Sequence, residues 1–275
     1  MDELHGGARP SLGWAATALI SEEAGVADHR RSIARSAVVW DALAGRLEAC
    51  RASLTESRPL DVLDLGGGTG GFAVRTAELG HRVIVVDPNP DALALLGRRA
   101  DEAGVSDRIQ GLQGDSTDLV EVAGSAVADV VLCHDVLEVV DSPREALRSA
   151  AETLRPGGTL SLLVTGRYAA ALAKALAGHL ADARRLLVDP DGRWGSVDPV
   201  PRRFTEDEVT SLLDDAGFEL LAVHGARVFV DLIPSALVDS EPGATEELLK
   251  LEADVADRPE FRAIATQLHA LAVRR

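Results

Sequence analysis

The stretch VLDLGGGTGGFAVRTAELGHRVIVVD, residues 62–87, constrains the fold of this chain more than any other. A short apolar run ends in clustered glycines, a helical segment follows, and a second apolar run ends on an acid. That order predicts a strand, a tight turn, a helix and a second, parallel strand. Glycines at such a turn let a ligand approach the backbone closely and leave the next helix's N-terminus open to it.

The alternation continues. Strands are predicted at LDVLDLG, HRVIVVD, RIQGLQGD (the weakest), ADVVLCHD and TLSLLVTG, and helices at GFAVRTAELG, PDALALLGRRADEAG and SPREALRSAAETLRPGG. Ser142 is placed to cap the last of these helices, with Pro143 in its first turn. Strands alternating with helices imply a parallel sheet covered on both faces, with a ligand crevice beyond the strands' C-terminal ends. The informative positions are therefore the strand ends: Gly66, Asp87, Asp115, His134 and Thr165.

Either side of this core the pattern changes. Residues 1–57 read as helical, with Ile33, Ala37, Trp40, Leu43 and Leu47 at helical spacing. Residues 167–188 are helical and alanine-rich, and 189–203 form a loop dense in Gly, Pro and Asp. A helix opens at Thr205 with Glu208 in the capping-box position. FELLAVHGARVFVDL reads as a hairpin or one long strand, ATEELLKLEADVA as a helix, and ATQLHALAVRR as a closing strand.

Gly66, Gly68 and Gly71 fit G-x-G-x-x-G, which can hold a dinucleotide or another adenosine-containing ligand. Asp64 at the mouth of the loop would repel a pyrophosphate, and could orient the loop or a cationic ligand. Asp87 suits paired hydrogen bonds to a ribose diol. Asp115, after Gly114, stands where contacts to an adenine ring are usual, or serves as a turn residue. His134 and Asp135 close the fourth strand.

The formal charge of −16 argues against a surface that grips nucleic acid non-specifically, although arginines pair at 30–31, 184–185 and 202–203. For an anionic substrate such as a carboxylate, arginine is the natural clamp. Arg202, Arg203, Arg227 and Arg167 are the candidates, with Arg227 alternatively a partner of Asp231. Cys50 and Cys133 do not form a disulfide framework, and the sequence shows neither a metal-ligand spacing nor a serine or cysteine nucleophile motif. The acidic N-terminus lacks the basic residues of a signal peptide, and no apolar run reaches membrane-spanning length, so the chain is expected to be cytoplasmic.

VLDLGGGTG, VIVVD, GDSTDL, HDVLEVVDSPREAL and LRPGGTLSL, in this order across residues 60–165, resemble the successive motifs of class I S-adenosylmethionine-dependent methyltransferases. That resemblance implies an α/β Rossmann-like fold with a mostly parallel seven-stranded sheet, helices on both faces, and N-terminal and inserted helices. It implies a cap at 1–57 and a methyltransferase domain at 58–275, with a substrate insertion at about 166–203. S-adenosylmethionine is the implied cofactor: Gly66, Gly68 and Gly70 would cradle its methionine part, with Asp64 at the loop mouth. Asp87 would hold the ribose, and Asp115 with Ser116 would flank the adenine.

A narrower resemblance covers nearly the whole chain. RSAVVWDAL, HDVLEVVDSP, LLDDAGFELLAVHGARVFVDL and LLKLEADVADRPEFRAIATQLHALAVRR are similar to the tRNA 5-carboxymethoxyuridine methyltransferases, which esterify the carboxylate of a modified wobble uridine. Arg35 would then contact the cofactor's carboxylate end and His134 would line its pocket. The lysine- and arginine-rich run of that family is replaced here by VDPDGRWGSVD. The acceptor implied is anionic, either a tRNA anticodon base or a small carboxylate. A small-molecule O- or N-methyltransferase and an NAD-binding oxidoreductase of Rossmann type are the alternatives on the same motifs.

Overall fold

The computed structural model describes residues 12–234, 237–238, 241 and 243–275, with side chains from residue 33 onward; the arginine pair at 30–31 lies outside the described side chains. Seven strands form one sheet: β1 (Asp61–Leu65), β2 (Arg82–Asp87), β3 (Ile109–Gln113), β4 (Ala128–His134), β5 (Leu154–Thr165), β6 (Phe218–Ala226) and β7 (Gln267–Arg274). Their spatial order is β3-β2-β1-β4-β5-β7-β6. The pairs from β3 to β5 are parallel, and β7 runs antiparallel between β5 and β6.

Ten helices accompany the sheet among the described residues: α1 (Leu12–Ser53), α2 (Gly71–Glu78), α3 (Pro90–Glu102), α4 (Leu119–Ala123), α5 (Pro143–Thr153), α6 (Arg167–Leu176), α7 (Leu180–Val188), α8 (Glu206–Asp215), α9 (Ala244–Val255) and α10 (Pro259–Arg262). Alternate residues along each inner strand divide between two cores, as period-2 geometry requires. Leu63, Leu65, Val131 and Cys133 pack with Leu147 of α5 and Leu213 of α8. Val62, Val85, Val130 and Leu132 pack on the other face with Leu43 and Leu47 of α1, Ala77 of α2 and Leu96 of α3. The sheet is thus buried on both faces, which explains strands that read as continuous apolar runs.

Several expectations change in detail. The buried stripe of α1 runs through Val39, Leu43 and Leu47, whereas Ile33 is exposed. Polar anchors fix this helix as well: the Arg46 guanidinium donates twice to Thr159 Oγ1 of β5, at 2.9 and 2.7 Å. The helix predicted through LRPGG stops at Thr153, because Leu154 is already paired with Ala128 as the start of β5. FELLAVHGARVFVDL is neither hairpin nor long strand. β6 ends at Ala226, Arg227 takes φ 60°, and the chain turns away. The buried Glu252 of α9 holds that turn by accepting from the backbone N–H groups of Val228, Phe229 and Val230 at 2.7–3.0 Å. The predicted caps are present: Ser142 accepts from Glu145 N, and Thr205 and Glu208 form a reciprocal capping box.

Among the described residues no helix is long and apolar enough to cross a membrane. No group of His, Cys, Asp and Glu among them could hold a metal ion.

Candidate active site

The crevice lies beyond the C-terminal ends of β1, β2 and β4. Gly66, Gly68 and Gly70 all take positive φ, 68°, 54° and 82°, so each favours glycine on backbone grounds. Their surroundings differ. A Cβ on Gly66 would meet Val136 at 2.5 Å and one on Gly70 would meet Leu96 at 2.2 Å. At Gly68 the nearest atoms lie 3.9 Å away, leaving backbone open to a ligand. Gly67 was not singled out by the sequence, and its φ is not in the left-handed region. Its constraint is space, since a Cβ there would meet the Asp64 carboxyl at 2.6 Å and Val85 at 2.8 Å. Gly71 completes the G-x-G-x-x-G pattern but has nothing within 4 Å.

Beneath this loop Asp64 is buried, and its Oδ2 has no hydrogen-bond partner. Burial, with the nearby Asp87 charge adding to it, pushes its pKa up to about 7. Asp87 braces the loop: Oδ2 accepts from Gly68 N and Oδ1 from Asn89 N, both at 2.9 Å. Each of those oxygens retains acceptor capacity. Asp115 is exposed and closes a local turn, its Oδ1 accepting from Thr117 Oγ1 at 2.6 Å and Thr117 N at 2.7 Å. Those bonds hold its pKa below the ordinary carboxylate value, and Ser116 beside it is buried.

His134 ends β4 with its ring edge-on to Phe72 of α2, centroids 4.7 Å apart. Its Nε2 is 2.9 Å from Ser161 Oγ, its buried Nδ1 has no partner, and burial lowers its pKa to about 3. Asp135 follows with φ 57° and accepts from Gln267 Nε2 at 2.8 Å. Asp135 is exposed as a residue, but desolvation around its carboxyl raises its pKa against the opposing pull of Gln267 and Arg227. Glu138 is buried, accepts from Thr165 N at 2.5 Å through Oε1, and has Oε2 without a partner. Burial raises its pKa too, and Asp135 adds to the shift.

The candidate arginines fall into two groups. Arg202 donates to the carbonyls of Leu137 and Val140 at 3.0 and 2.9 Å and pairs with Asp191. Arg203 is buried, forked onto Asp198 at 2.7 and 3.0 Å and donating to Gly192 O. Arg167 ties Pro190 O, Arg203 O and Glu208 together. Arg202 and Arg167 staple the 189–204 loop to the sheet end, and Arg203 braces the loop from within. Arg227 and Arg35 stand apart from that loop and share one carboxylate. Asp231 Oδ2 takes Arg227 at 2.7 Å, and Asp231 Oδ1 takes Arg35 at 3.3 Å. Arg227 is close enough to Asp135 to lower its pKa.

A seven-stranded sheet of this order, with one antiparallel strand and a glycine loop after β1, is the Rossmann-like fold of the class I methyltransferases. A family model described as a methyltransferase domain matches residues 41–223. The tRNA 5-carboxymethoxyuridine methyltransferase of Escherichia coli O157:H7 is 30% identical over 238 residues, 86% of this chain and 87% of that one. A ubiquinone biosynthesis O-methyltransferase of Xanthomonas axonopodis pv. citri (strain 306) is 34% identical over 66% of this chain and 71% of its own. The fold is shared with a putative sarcosine dimethylglycine methyltransferase from Galdieria sulphuraria, TM-score 0.56 at 15% identity over 85% of this chain and 84% of that one. The chain belongs to the methyltransferase-domain family and is an S-adenosylmethionine-dependent methyltransferase.

Proposed function

We propose that this enzyme transfers the methyl group of S-adenosylmethionine to a carboxylate, and that the acceptor is the carboxymethoxy group of a modified wobble uridine in tRNA. The observation that carries the carboxylate is the Arg35–Asp231–Arg227 cluster: two guanidinium groups pair with the one Asp231 carboxylate, with Asp135 near Arg227, and each guanidinium keeps N–H donors for a further anion. Similarity to the tRNA enzyme over 86% of the chain supports the particular acceptor. A tRNA substrate goes with a cytoplasmic enzyme.

The residues fit the cofactor. S-adenosylmethionine is cationic at its sulfonium and its ammonium, and Asp64 offers a buried carboxylate oxygen without a partner. In this reading Gly66, Gly68 and Gly70 cradle the methionine part and Arg35 meets its carboxylate. Asp87 turns its remaining lone pairs to the ribose hydroxyls, Asp115 Oδ2 and Ser116 flank the adenine, and His134 lines the pocket. Arg227 holds the acceptor. The sulfonium is already activated and its leaving group departs neutral, so alignment is the main task. With the methyl group supplied by the bound cofactor, the acceptor oxygen would take it as the thioether leaves neutral, so the residues of the site would have to align the two partners and not move a proton. An ionised carboxylate needs no general base.

A second reading, a small-molecule O- or N-methyltransferase, is favoured by the charge of −16 and by the acidic sequence VDPDGRWGSVD in the 189–203 loop. Labelled S-adenosylmethionine offered with unmethylated total tRNA and, separately, with a metabolite extract distinguishes the two. Base-labile label in tRNA is expected. Label confined to the metabolites transfers the assignment to the second reading.

A further inference from the structure

Four neighbouring strands place a row of polar side chains across the α1–α2 face of the sheet. His134 of β4 and His269 of β7 both lie level with Leu163 of β5, and His224 of β6 lies level with His269. Ser161 Oγ sits between two rings, 2.9 Å from His134 Nε2 and 2.8 Å from His269 Nε2. Ser161 and His269 are fully buried. His224 stacks on His269 at 5.4 Å with 25° between ring planes, and its Nε2 looks to Asp257 at 3.6 Å. An apolar row of similar volume would fill this face without leaving the Nδ1 atoms of all three histidines unpaired.

One hydroxyl between two neutral imidazoles restricts their tautomers. It donates to one ring and accepts from the other, so one ring carries its proton on Nε2 and the other on Nδ1. If Ser161 donated to His269, the His269 proton would sit on Nδ1, a sealed N–H without an acceptor. Orphaned buried N–H groups are the rarest kind. If Ser161 donates to His134, His269 keeps its proton on Nε2, bonded to Ser161, and the unpaired N–H falls on His134 Nδ1. Both Nδ1 atoms are enclosed, but His269 is fully buried whereas the His134 ring is only partly buried, at a strand end beside the glycine loop where a ligand can reach it.

We propose that Ser161 and His269 are positioning residues that fix His134 as the Nδ1–H tautomer, a hydrogen-bond donor in the crevice at the end of β4. The proposal rests on the reading of this crevice as the cofactor site, where an oxygen acceptor meets that donor. The relay acts through His134 and neither member touches the reacting atoms.

The full chain labelled with 15N-histidine tests it by two-bond proton–nitrogen correlation, which distinguishes the tautomers. In the wild-type protein His134 is expected as Nδ1–H and His269 as Nε2–H. His134 found as Nε2–H overturns the proposal, whatever the variants do. Ser161→Cys keeps the volume and weakens the bridge: the His134 tautomer should become mixed and affinity for S-adenosylhomocysteine should fall roughly tenfold. Ser161→Thr, which keeps the hydroxyl, should restore both. A Cys variant with wild-type tautomer and affinity also overturns the relay. Calorimetry of the wild type separates the underlying reading. If S-adenosylhomocysteine does not bind, the cofactor site is elsewhere, and the spectrum still decides the tautomer.

Discussion

Gly67 lies directly over the Asp64 carboxyl, with room for a hydrogen and not for a methyl group: an added Cβ would stand 2.6 Å from it. Neither partner can give way easily, because Asp64 is buried and Val85 closes the other side at 2.8 Å. Gly67→Ala is therefore expected to cost about 1–3 kcal/mol. A fall in melting temperature together with weaker S-adenosylhomocysteine binding checks it. Gly71→Ala is the control. Nothing lies within 4 Å of the added methyl group, and at the start of α2 alanine should leave stability unchanged or raise it by up to about 1 kcal/mol.

Asp64 also sets a pH dependence. Its folded pKa, about 7, stands above the ordinary 3.8, so its contribution to stability is complete below about pH 4 and is lost as pH rises through 7. Cofactor binding runs the opposite way, since only the ionised carboxylate attracts a sulfonium or ammonium. Affinity for S-adenosylmethionine should rise with pH to about 7 and then level, changing by up to about tenfold per unit below it. Asp64→Asn should flatten the profile. Calorimetry in buffers of different ionisation enthalpy should detect proton release on binding to the wild type only.

What the sequence shows and what it hides follow from range. Strand and helix order depend on local periodicity, so β1 to β5, the Ser142 cap and the Thr205–Glu208 box are legible in short windows. The G-x-G-x-x-G pattern picks out Gly71, which is unconstrained, and passes over Gly67, whose constraint comes from a side chain folded beneath it. The arginine pair at 202–203 looks like an anion clamp because sequence shows charge but not partners. Asp198 and the carbonyls of Leu137 and Val140 meet those arginines only in the folded loop. The Ser161 relay joins residues 27 and 108 positions apart, and no window carries it.

At the opposite end of the sheet Asp129 accepts from both terminal nitrogens of Arg58, from Arg155 and from Asp61 N. Burial acts to raise its pKa, but these donors win and bring it down to about 2. Its stabilisation is therefore present above about pH 4 and lost as pH falls through 2. The arginines are partly in water, so about 1–2 kcal/mol is expected. Acid titration of melting temperature, with Asp129→Asn losing that component, measures it.

Glu252 reaches the site through the turn it holds. Three backbone N–H groups converge on one carboxylate, and the turn lies between Arg227 and Asp231. Glu252→Gln keeps the volume but replaces one acceptor oxygen with a donor, facing at least one N–H with another. A loss of about 2 kcal/mol is expected. Local hydrogen exchange at residues 228–230 should accelerate, and turnover should fall more than cofactor affinity. Unchanged exchange there would show that the turn holds itself.

The two kinds of arginine separate in one pair of variants. Arg203→Ala leaves Asp198 buried without its partner, and breaking a buried pair costs about 3–5 kcal/mol. Its effect should be on melting temperature and on protease sensitivity of the 189–204 loop, with residual activity proportional to folded protein. Arg227→Ala removes a half-buried group whose ion-pair partner, Asp231, keeps Arg35. Arg227 also has φ 60°, a conformation that alanine tolerates no better than arginine, so backbone strain does not change between the two. Melting should hardly move, while kcat/KM for an anionic acceptor should fall by about 100-fold or more with S-adenosylhomocysteine affinity retained. Parallel melting, binding and methyl-transfer assays decide it. An Arg227 variant with full activity removes the arginine clamp and leaves an uncharged small-molecule acceptor as the reading to pursue.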